Sequence, residues 1–370
     1  MNAVNRKHLT KLTAAMAVAA AFSAAPLWAQ DAPRPTVDEN GVVHGSWTTA
    51  PMSSFLSPEG KAALTARLRM PPGPSSVKDG IAAVRKASDD MAKVSLDGWL
   101  KIYPSKIEDT QIDGVHVFIV TPEGGIDPKN KNRVMINAHM GGFTTGGKYG
   151  GQLEAVPLAG RGRIKVIALD YRMSPEHMFP AASEDMEKVY RHVLKTTKPA
   201  NVGIYGCSAG GTLVAQSMAW FQSKNLPLPG AISIQCSGAM KTFWFGGDSN
   251  VVNGLLTGTP PNSPAPNPMP AGAPRGYFDG METNTPLITP GLYPDVLAKF
   301  PPTLVVTGTR DIAMSNAVMT HTALLKAGAD AQLFLQEGLG HGHFFSFPGT
   351  PESATAYDVI WKFFDGHLKH

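Results

Sequence analysis

The chain has 370 residues, of which 43% are hydrophobic and 17% charged, and this balance predicts a globular protein with a sizeable core. The formal net charge is +4, but three basic residues (Arg6, Lys7 and Lys11) lie at the extreme N-terminus. Without that segment the formal charge falls to +1 and no Lys/Arg cluster remains, which argues against nucleic-acid binding.

The N-terminus is typical of a secretory signal peptide. Residues 12–27 form an apolar, alanine-rich run after the basic residues, and Leu27-Trp28-Ala29 fits a cleavage site before Gln30. A membrane anchor is the alternative interpretation, but the run is short for a span and small residues dominate it. We therefore expect residues 1–29 to be removed and the protein to be exported, to a periplasm or beyond, with no stable membrane anchor.

Only two cysteines are present, Cys207 and Cys236, and this number excludes a disulfide-based scaffold. Each follows or ends a predicted strand, so the two thiols lie close together if those strands are neighbours. The sequence leaves open whether they form a disulfide, because that depends on geometry.

The predicted elements begin with two helices, at residues 58–68 and 76–94, and the second has apolar residues at helical spacing. Strands follow, the first two split by Asp113-Gly114 as in a hairpin. The predicted strands are 105–112, 115–120, 133–138, 164–169, 201–205, 231–235, 303–308 and 331–336, and further helices are expected at 181–194, after Ser208, at 314–327 and at 352–368. Residues 241–285 are rich in Pro, Gly and Asn and are predicted to be an insertion.

From residue 133 onward, strands alternate with helices. This order predicts an α/β fold with a mostly parallel sheet covered by helices on both faces. Functional sites in such sheets lie at the carboxyl ends of the strands. Four residues that could do chemistry each follow a predicted strand, namely His139, Ser208, Asp311 and His341.

The sequence Gly206-Cys207-Ser208-Ala209-Gly210 has the G-x-S-x-G pattern of a nucleophile turn between a strand and a helix. Small neighbours are needed there because the serine has a strained backbone conformation. The helix that follows directs its first N–H groups toward the same point. The less specific alternative is a glycine-rich turn in which the serine only caps the helix.

A serine nucleophile needs a base, and the base needs an orienting acid. In α/β hydrolases the order along the chain is serine, acid, histidine. Asp311 and His341 follow Ser208 in this order, each after a predicted strand, and so complete a candidate Ser208, Asp311, His341 triad.

Other residues compete for two of these roles. His343 lies in the same turn as His341, and spacing alone does not separate them. Glu337 and Asp330 are alternatives to Asp311, although both fit the strand order less well.

An acyl-transfer site also needs donors for the oxyanion of the intermediate. Gly141 and Gly142 offer unhindered backbone N–H groups after the strand at 133–138, and Ala209 offers the N–H that follows the nucleophile. A glycine-rich loop without function is the alternative. The absence of a following Lys-Ser/Thr excludes a phosphate-binding loop.

Four segments, in this order, resemble the hormone-sensitive-lipase family of α/β-hydrolase serine esterases. They are His139-Met140-Gly141-Gly142-Phe143, Asp170-Tyr171-Arg172-Met173-Ser174-Pro175-Glu176-His177, Gly206-Cys207-Ser208-Ala209-Gly210-Gly211, and Asp311 with His341-Gly342. The resemblance covers the chain from about residue 105 to the C-terminus.

The resemblance implies an α/β-hydrolase fold with an eight-stranded sheet and hydrolysis of carboxylic esters of small acyl groups, without metal or cofactor. It implies that Ser208 is the nucleophile, Asp311 the orienting acid and His341 the base, with the oxyanion hole at Gly141, Gly142 and Ala209. It further implies one catalytic domain (residues 30–370) with a cap from about 50–95 and 241–285. Arg172 and Glu176 resemble a buried structural ion pair.

The sequence departs from the family pattern at several positions. Met140 replaces the first glycine of His-Gly-Gly-Gly, and we expect this larger side chain to narrow the acyl pocket. Cys207 replaces the usual acidic or Thr residue before the nucleophile. His343 has no counterpart role. A lactone or amide hydrolase with the same triad and a non-catalytic ligand-binding relative are the alternative functions, and the sequence leaves a homodimer open.

Overall fold

The structure is a computed structural model that describes residues 36–37, 43–44, 52–70, 80–240 and 276–369. The chain divides into two compact units, Met1–Thr49 and Ala50–His370. In the first unit, Thr36–Val37 and Val43–His44 form a short antiparallel pair. The predicted signal peptide and most of the predicted insertion, residues 241–275, lie outside the described residues.

The second unit is built on one eight-stranded sheet. Its strands are β1 (Ser105–Ile112), β2 (Val115–Pro122), β3 (Val134–Ala138), β4 (Lys165–Leu169), β5 (Val202–Cys207), β6 (Ala231–Gln235), β7 (Thr303–Arg310) and β8 (Ala331–Gly340). Their order across the sheet is β8-β7-β6-β5-β3-β4-β2-β1. The pairs β1–β2 and β2–β4 are antiparallel, and every other neighbouring pair is parallel. The predicted α/β fold with a mostly parallel sheet of eight strands is thus confirmed.

Helices cover both faces of this sheet. They are α1 (Pro58–Arg69), α2 (Ile81–Ile102), α3 (Gly150–Gly162), α4 (Ala181–Leu194), α5 (Ala209–Ser223), α6 (Pro294–Leu297), α7 (Met314–Lys326), α8 (His343–Ser346) and α9 (Pro351–His367). One hydrophobic cluster joins the sheet to α4, α5 and α7, and a second joins it to α2, α3 and α9. The central strands β3, β5 and β6 are buried along their whole length, as expected for parallel strands between two layers of helices.

The structure corrects several predicted boundaries. Helix α2 runs from Ile81 to Ile102, eight residues beyond the predicted end at residue 94, because its C-terminal part packs Leu96 and Trp99 into the core. Strand β8 continues past residue 336 to Gly340 through an irregularity in its pairing with β7.

Helix α3 was not predicted at all. Its sequence contains four glycines and Pro157, which disfavour an isolated helix. Almost every residue of α3 is buried, so packing between the sheet, α2 and α9 outweighs the poor local propensity. In the part of the chain that the structure describes, no helix combines the length and the apolar character that a membrane span requires.

Candidate active site

Ser208 lies at the sharp turn between β5 and α5. Its backbone has φ 61° and ψ −123°, which is unusual for a residue with a side chain and marks local strain. The Ser208 N–H donates to the Gln235 carbonyl of β6 at 2.8 Å, and the Ser208 carbonyl accepts from Thr212 in the first turn of α5 at 3.0 Å. These two bonds hold the strained residue in place from both sides.

The glycines around Ser208 let two backbone segments approach closely. A Cβ atom on Gly210 would lie 1.9 Å from the Ala138 carbonyl oxygen, and one on Gly206 would lie 2.3 Å from the same atom. No side chain fits in either place. The nucleophile turn therefore packs directly against the end of β3, from which the loop with Gly141 and Gly142 starts.

Asp311 and His341 form a hydrogen-bonded pair at the ends of β7 and β8. His341 Nδ1 and Asp311 Oδ1 are 2.7 Å apart, with Asp311 fully buried and the His341 side chain 25% exposed. Asp311 also accepts from the Thr307 hydroxyl at 3.0 Å and from the Ala313 N–H at 2.8 Å. Asp330, one of the alternative acids, instead pairs with His367.

These contacts determine the charge of Asp311. Burial alone would raise its pKa, but the charge and hydrogen bond of His341, together with the Ala313 and Thr307 donors, outweigh that effect and lower the pKa below its ordinary value. Asp311 is therefore ionised at neutral pH. A carboxylate in this position fixes the imidazole so that its other nitrogen, Nε2, is available as a base.

His343 has a different environment from His341. Its Nδ1 accepts a hydrogen bond from the Gly340 N–H at 3.0 Å, and its ring packs against Phe347 with centroids 4.7 Å apart. Burial lowers the pKa of His343 to about 4, and the nearby His341 adds to this effect. His343 thus shapes the turn that carries His341, which accounts for a histidine without a counterpart in the family pattern.

The loop after β3 presents its N–H groups in a defined direction. His139 Nδ1 bonds the Met140 carbonyl at 2.6 Å, and the Gly141 carbonyl accepts from Thr144 and Thr145. Because N–H and C=O of a trans peptide point in opposite directions, the Gly141 and Gly142 N–H groups point away from those partners. Both glycines have positive φ, 116° and 63°.

Ala209 supplies a third N–H, as predicted for the residue after the nucleophile. It is the first residue of α5, so its N–H has no acceptor within the helix. The structure therefore places all six predicted site residues at the carboxyl edge of the sheet, on the connections after β3, β5, β7 and β8.

The sequence did not indicate two groups that border this site. Glu154 of α3 accepts hydrogen bonds from the Met140 and Cys207 N–H groups. Cys236 follows β6, and its Sγ lies within 4.8 Å of a His341 nitrogen and an Asp311 oxygen. Neither position belongs to a recognisable motif, because each is brought to the site only by the sheet order and by the unpredicted helix α3.

The Cys236, Asp311 and His341 atoms are also of the types that ligate metal ions. The 2.7 Å bond between His341 and Asp311 already employs one carboxylate oxygen and Nδ1 in the arrangement that a serine hydrolase needs. Cys207 and Cys236 are free thiols whose sulfurs hydrogen-bond each other, and burial raises the pKa of both. These thiols are therefore neutral at physiological pH.

The prediction of an ion pair between Arg172 and Glu176 is wrong. Arg172 instead binds Asp185 and Glu184 of α4, whereas Glu176 binds Arg85 of α2 at 2.6 Å. The side chains of Arg85 and Glu176 are 29% and 49% exposed, so the ion pair that Glu176 does form is not buried either. It connects α2 to the segment that follows β4, a long-range contact that local sequence does not reveal.

Comparisons with known proteins agree with this geometry. A family model for the alpha/beta hydrolase fold matches residues 135–345, more than half of the chain. An acetyl-hydrolase of Streptomyces hygroscopicus is 27% identical over 259 residues, which cover 68% of this chain and 81% of that protein.

Solved structures give the same result. The crystal structure of an esterase called E25 superposes with a TM-score of 0.73 at 27% identity, and the match covers 90% of this chain and all of that one. An esterase from the bacterial hormone-sensitive lipase family superposes with a TM-score of 0.67 at 23% identity, covering 84% and 98% of the two chains. At 23% identity, the similarity to this second esterase shows a shared fold alone.

The environment of His343 makes stability depend on pH. The folded protein keeps this ring neutral down to about pH 4, whereas an unfolded chain protonates it near 6.5. The stabilisation is thus complete above pH 6.5 and is lost as pH falls from 6.5 toward 4, by up to about 3 kcal/mol. We expect the free energy of urea unfolding to fall more between pH 7.5 and 4.5 for the wild type than for His343→Gln, by about 2 kcal/mol. An equal fall in both proteins would contradict this interpretation.

Proposed function

This chain belongs to the α/β-hydrolase family and is a carboxylic-ester hydrolase, and we propose that it is a serine esterase acting on short-chain acyl esters. The observation that carries the proposal is the 2.7 Å bond between the buried Asp311 and His341, at the same carboxyl edge of the sheet as a serine with φ 61°. A strained serine turn and an oriented histidine at the same carboxyl edge of the sheet have no evident structural purpose. They are the parts that acyl transfer to a serine requires.

The proposed cycle uses each of these residues in turn. His341 removes the proton from the Ser208 hydroxyl, and the Ser208 oxygen attacks the ester carbonyl. His341 then gives that proton to the departing alcohol, leaving an acyl-enzyme. Water repeats the two steps and releases the acid, while Asp311 stabilises the charged imidazole throughout.

The negative charge that forms on the carbonyl oxygen needs prearranged donors. The N–H groups of Gly141, Gly142 and Ala209 support this role, because two of them point away from hydrogen-bonded carbonyls and the third begins α5. The positive end of the α5 dipole adds to the stabilisation.

A small acyl group is the substrate we infer. The acetyl-hydrolase of Streptomyces hygroscopicus acts, by its name, on acetyl groups, and it spans most of the catalytic domain. The half-buried Met140 immediately precedes Gly141, where a glycine would leave more room. On the other side of the loop, buried Phe143 stacks on Tyr277 with centroids 4.4 Å apart. These side chains limit the space next to the loop of residues 139–143, which we call the oxyanion loop.

Removal of the base and of the nucleophile should have the same consequence. We expect Ser208→Ala and His341→Ala to lower kcat on p-nitrophenyl acetate by about 10⁴-fold or more, because each destroys the proton transfer to or from the attacking oxygen. His343→Gln, two residues away in the same turn, is the matched control and should change kcat less than about 10-fold. Wild-type kcat in His341→Ala, or a collapse confined to His343→Gln, would move the base to His343.

The chain-length preference is tested separately. Across p-nitrophenyl esters from acetyl to palmitoyl, kcat/KM should be highest at two to four carbons and fall steeply beyond them, with all activity blocked by a serine-directed phosphonate that labels Ser208. Matched lactones and amides measure the alternative reactions of the same triad. A maximum at long acyl chains would contradict the small pocket.

We also propose that residues 1–29 are a signal peptide and that the esterase is exported. The support is the sequence of basic residues, apolar run and Leu27-Trp28-Ala29. Expressed with its leader in a Gram-negative host, the protein should appear in the periplasmic fraction with a mass that corresponds to a chain starting at Gln30. Retention in the cytoplasm at full length would exclude this proposal.

A further inference from the structure

We propose that Glu154 is a positioning residue, which uses the two oxygens of one buried carboxyl group to hold the oxyanion loop and the nucleophile turn at a fixed separation. Oε1 accepts from the Met140 N–H at 2.8 Å, and Oε2 accepts from the Cys207 N–H at 3.2 Å. Met140 directly precedes Gly141, and Cys207 directly precedes Ser208. The inference rests on the proposed esterase function, because it concerns the two halves of that site.

The position of Glu154 in the fold explains why a carboxyl group is needed there. Strands β3 and β5 pair in register up to Ala138 and Gly206, and beyond this point they separate into the loop and the turn. The carboxyl group bridges the gap where the ladder ends. Without it, the Met140 N–H and the Cys207 N–H would lose this acceptor inside the protein, and a buried donor without an acceptor is destabilising.

Helix α3 holds this carboxyl group rigidly. Glu154 is 1% exposed, and its backbone carbonyl accepts from the Tyr205 hydroxyl of β5 at 3.1 Å. The same residue is thus connected to β5 through its main chain and through its side chain. A shift of α3 would therefore be transmitted to both the turn and the loop.

The hydrogen-bond pattern around Glu154 fits a neutral carboxyl group. Asn137 Nδ2 is 3.1 Å from Oε2, and among the described residues Asn137 Oδ1 is a buried oxygen without a hydrogen-bond partner. Turning the amide by 180° exchanges these two atoms, and the two orientations are distinguished only by their hydrogen bonds. In the turned orientation Oδ1 lies within hydrogen-bond distance of Oε2 and accepts a proton carried on that oxygen, which requires the neutral carboxyl group.

The groups around the carboxyl group favour the same protonation state. Burial raises the pKa of Glu154 to about 8, against the smaller opposing effects of its three hydrogen bonds. The ionisable groups that face it are Tyr171 after β4, Tyr205 and Cys207 of β5, Cys236 after β6 and Tyr357 of α9. None of these side chains is a cation. Below pH 8 the carboxyl group is therefore mostly protonated.

This state matters for the charge that develops during the reaction. A neutral Glu154 orients the Met140 N–H without repelling the oxyanion that forms at the Gly141, Gly142 and Ala209 N–H groups. An ionised Glu154 places a second negative charge near that oxyanion and disfavours its formation. The carboxyl group is neutral below its pKa and charged above it, so kcat should decline as pH rises through about 8. The decline therefore lies on the alkaline side of the pH profile.

The test compares three variants in the mature protein with p-nitrophenyl acetate. Glu154→Gln keeps the acceptor for Met140 and a donor for Asn137, but it loses the acceptor for the Cys207 N–H and cannot ionise. It should therefore lower kcat at pH 7 by no more than about 10-fold and lose the alkaline decline. Glu154→Leu should lower kcat by about 10² with KM changed less than about 3-fold, because it displaces reacting groups rather than substrate contacts. Glu187→Gln is the matched control, since Glu187 is a half-buried acid of α4 bonded to Trp220, and it should retain the wild-type profile.

Each outcome decides between the proposals. An alkaline decline that persists unchanged in Glu154→Gln, or wild-type kcat in Glu154→Leu, overturns the role of Glu154 even when the phosphonate labels Ser208. Neither turnover nor labelling of Ser208 in the wild type overturns the esterase proposal, and this inference with it. If Glu154→Gln loses the alkaline decline in kcat while Glu187→Gln keeps the wild-type pH profile, the positioning role of Glu154 is supported.

Discussion

The site depends on one backbone contact, the approach of the Ala138 carbonyl to Gly206 and Gly210. The space there excludes even a methyl group. This approach brings the end of β3 against the turn at Ser208, so that the loop with Gly141 and Gly142 starts next to that turn. It also explains why the serine is strained: a strand that turns at once into a helix, against a neighbouring carbonyl, leaves no relaxed conformation for residue 208.

Around this contact, burial and hydrogen bonds set the protonation state of each ionisable side chain. Asp311 stays ionised despite full burial, because three donors compensate for the lost water. His343 remains neutral at physiological pH, because burial lowers its pKa to about 4 and the neighbouring His341 adds to this effect. The thiols of Cys207 and Cys236 are held protonated by burial. The result is a site in which Asp311 is an ionised carboxylate bonded to the imidazole of His341.

Much of this could be predicted from sequence, for a definite reason. Ser208, Asp311 and His341 each follow an apolar strand in a short motif, so local pattern and strand order were enough to place them at the same edge of the sheet. Helix α3 could not be predicted, because its glycines and Pro157 conceal a helix that only tertiary packing stabilises. Arg172 and Glu176 were paired wrongly because Arg172 binds the acids of α4, whereas Glu176 binds Arg85, 91 residues earlier in the chain.

The same limitation explains why Glu154 escaped notice while Cys207 stood out. By the resemblance to the family pattern, Cys207 replaces a residue before Ser208 that is usually acidic or Thr. In the folded protein a carboxyl group reaches the Cys207 N–H from Glu154, 53 residues earlier, at 3.2 Å. A buried carboxyl on a rigid helix can bond two segments at once, which a side chain on the turn itself does less readily because its own backbone is one of those segments. The substitution at Cys207 and the acid on α3 are therefore best understood together, as one arrangement of the strand ends.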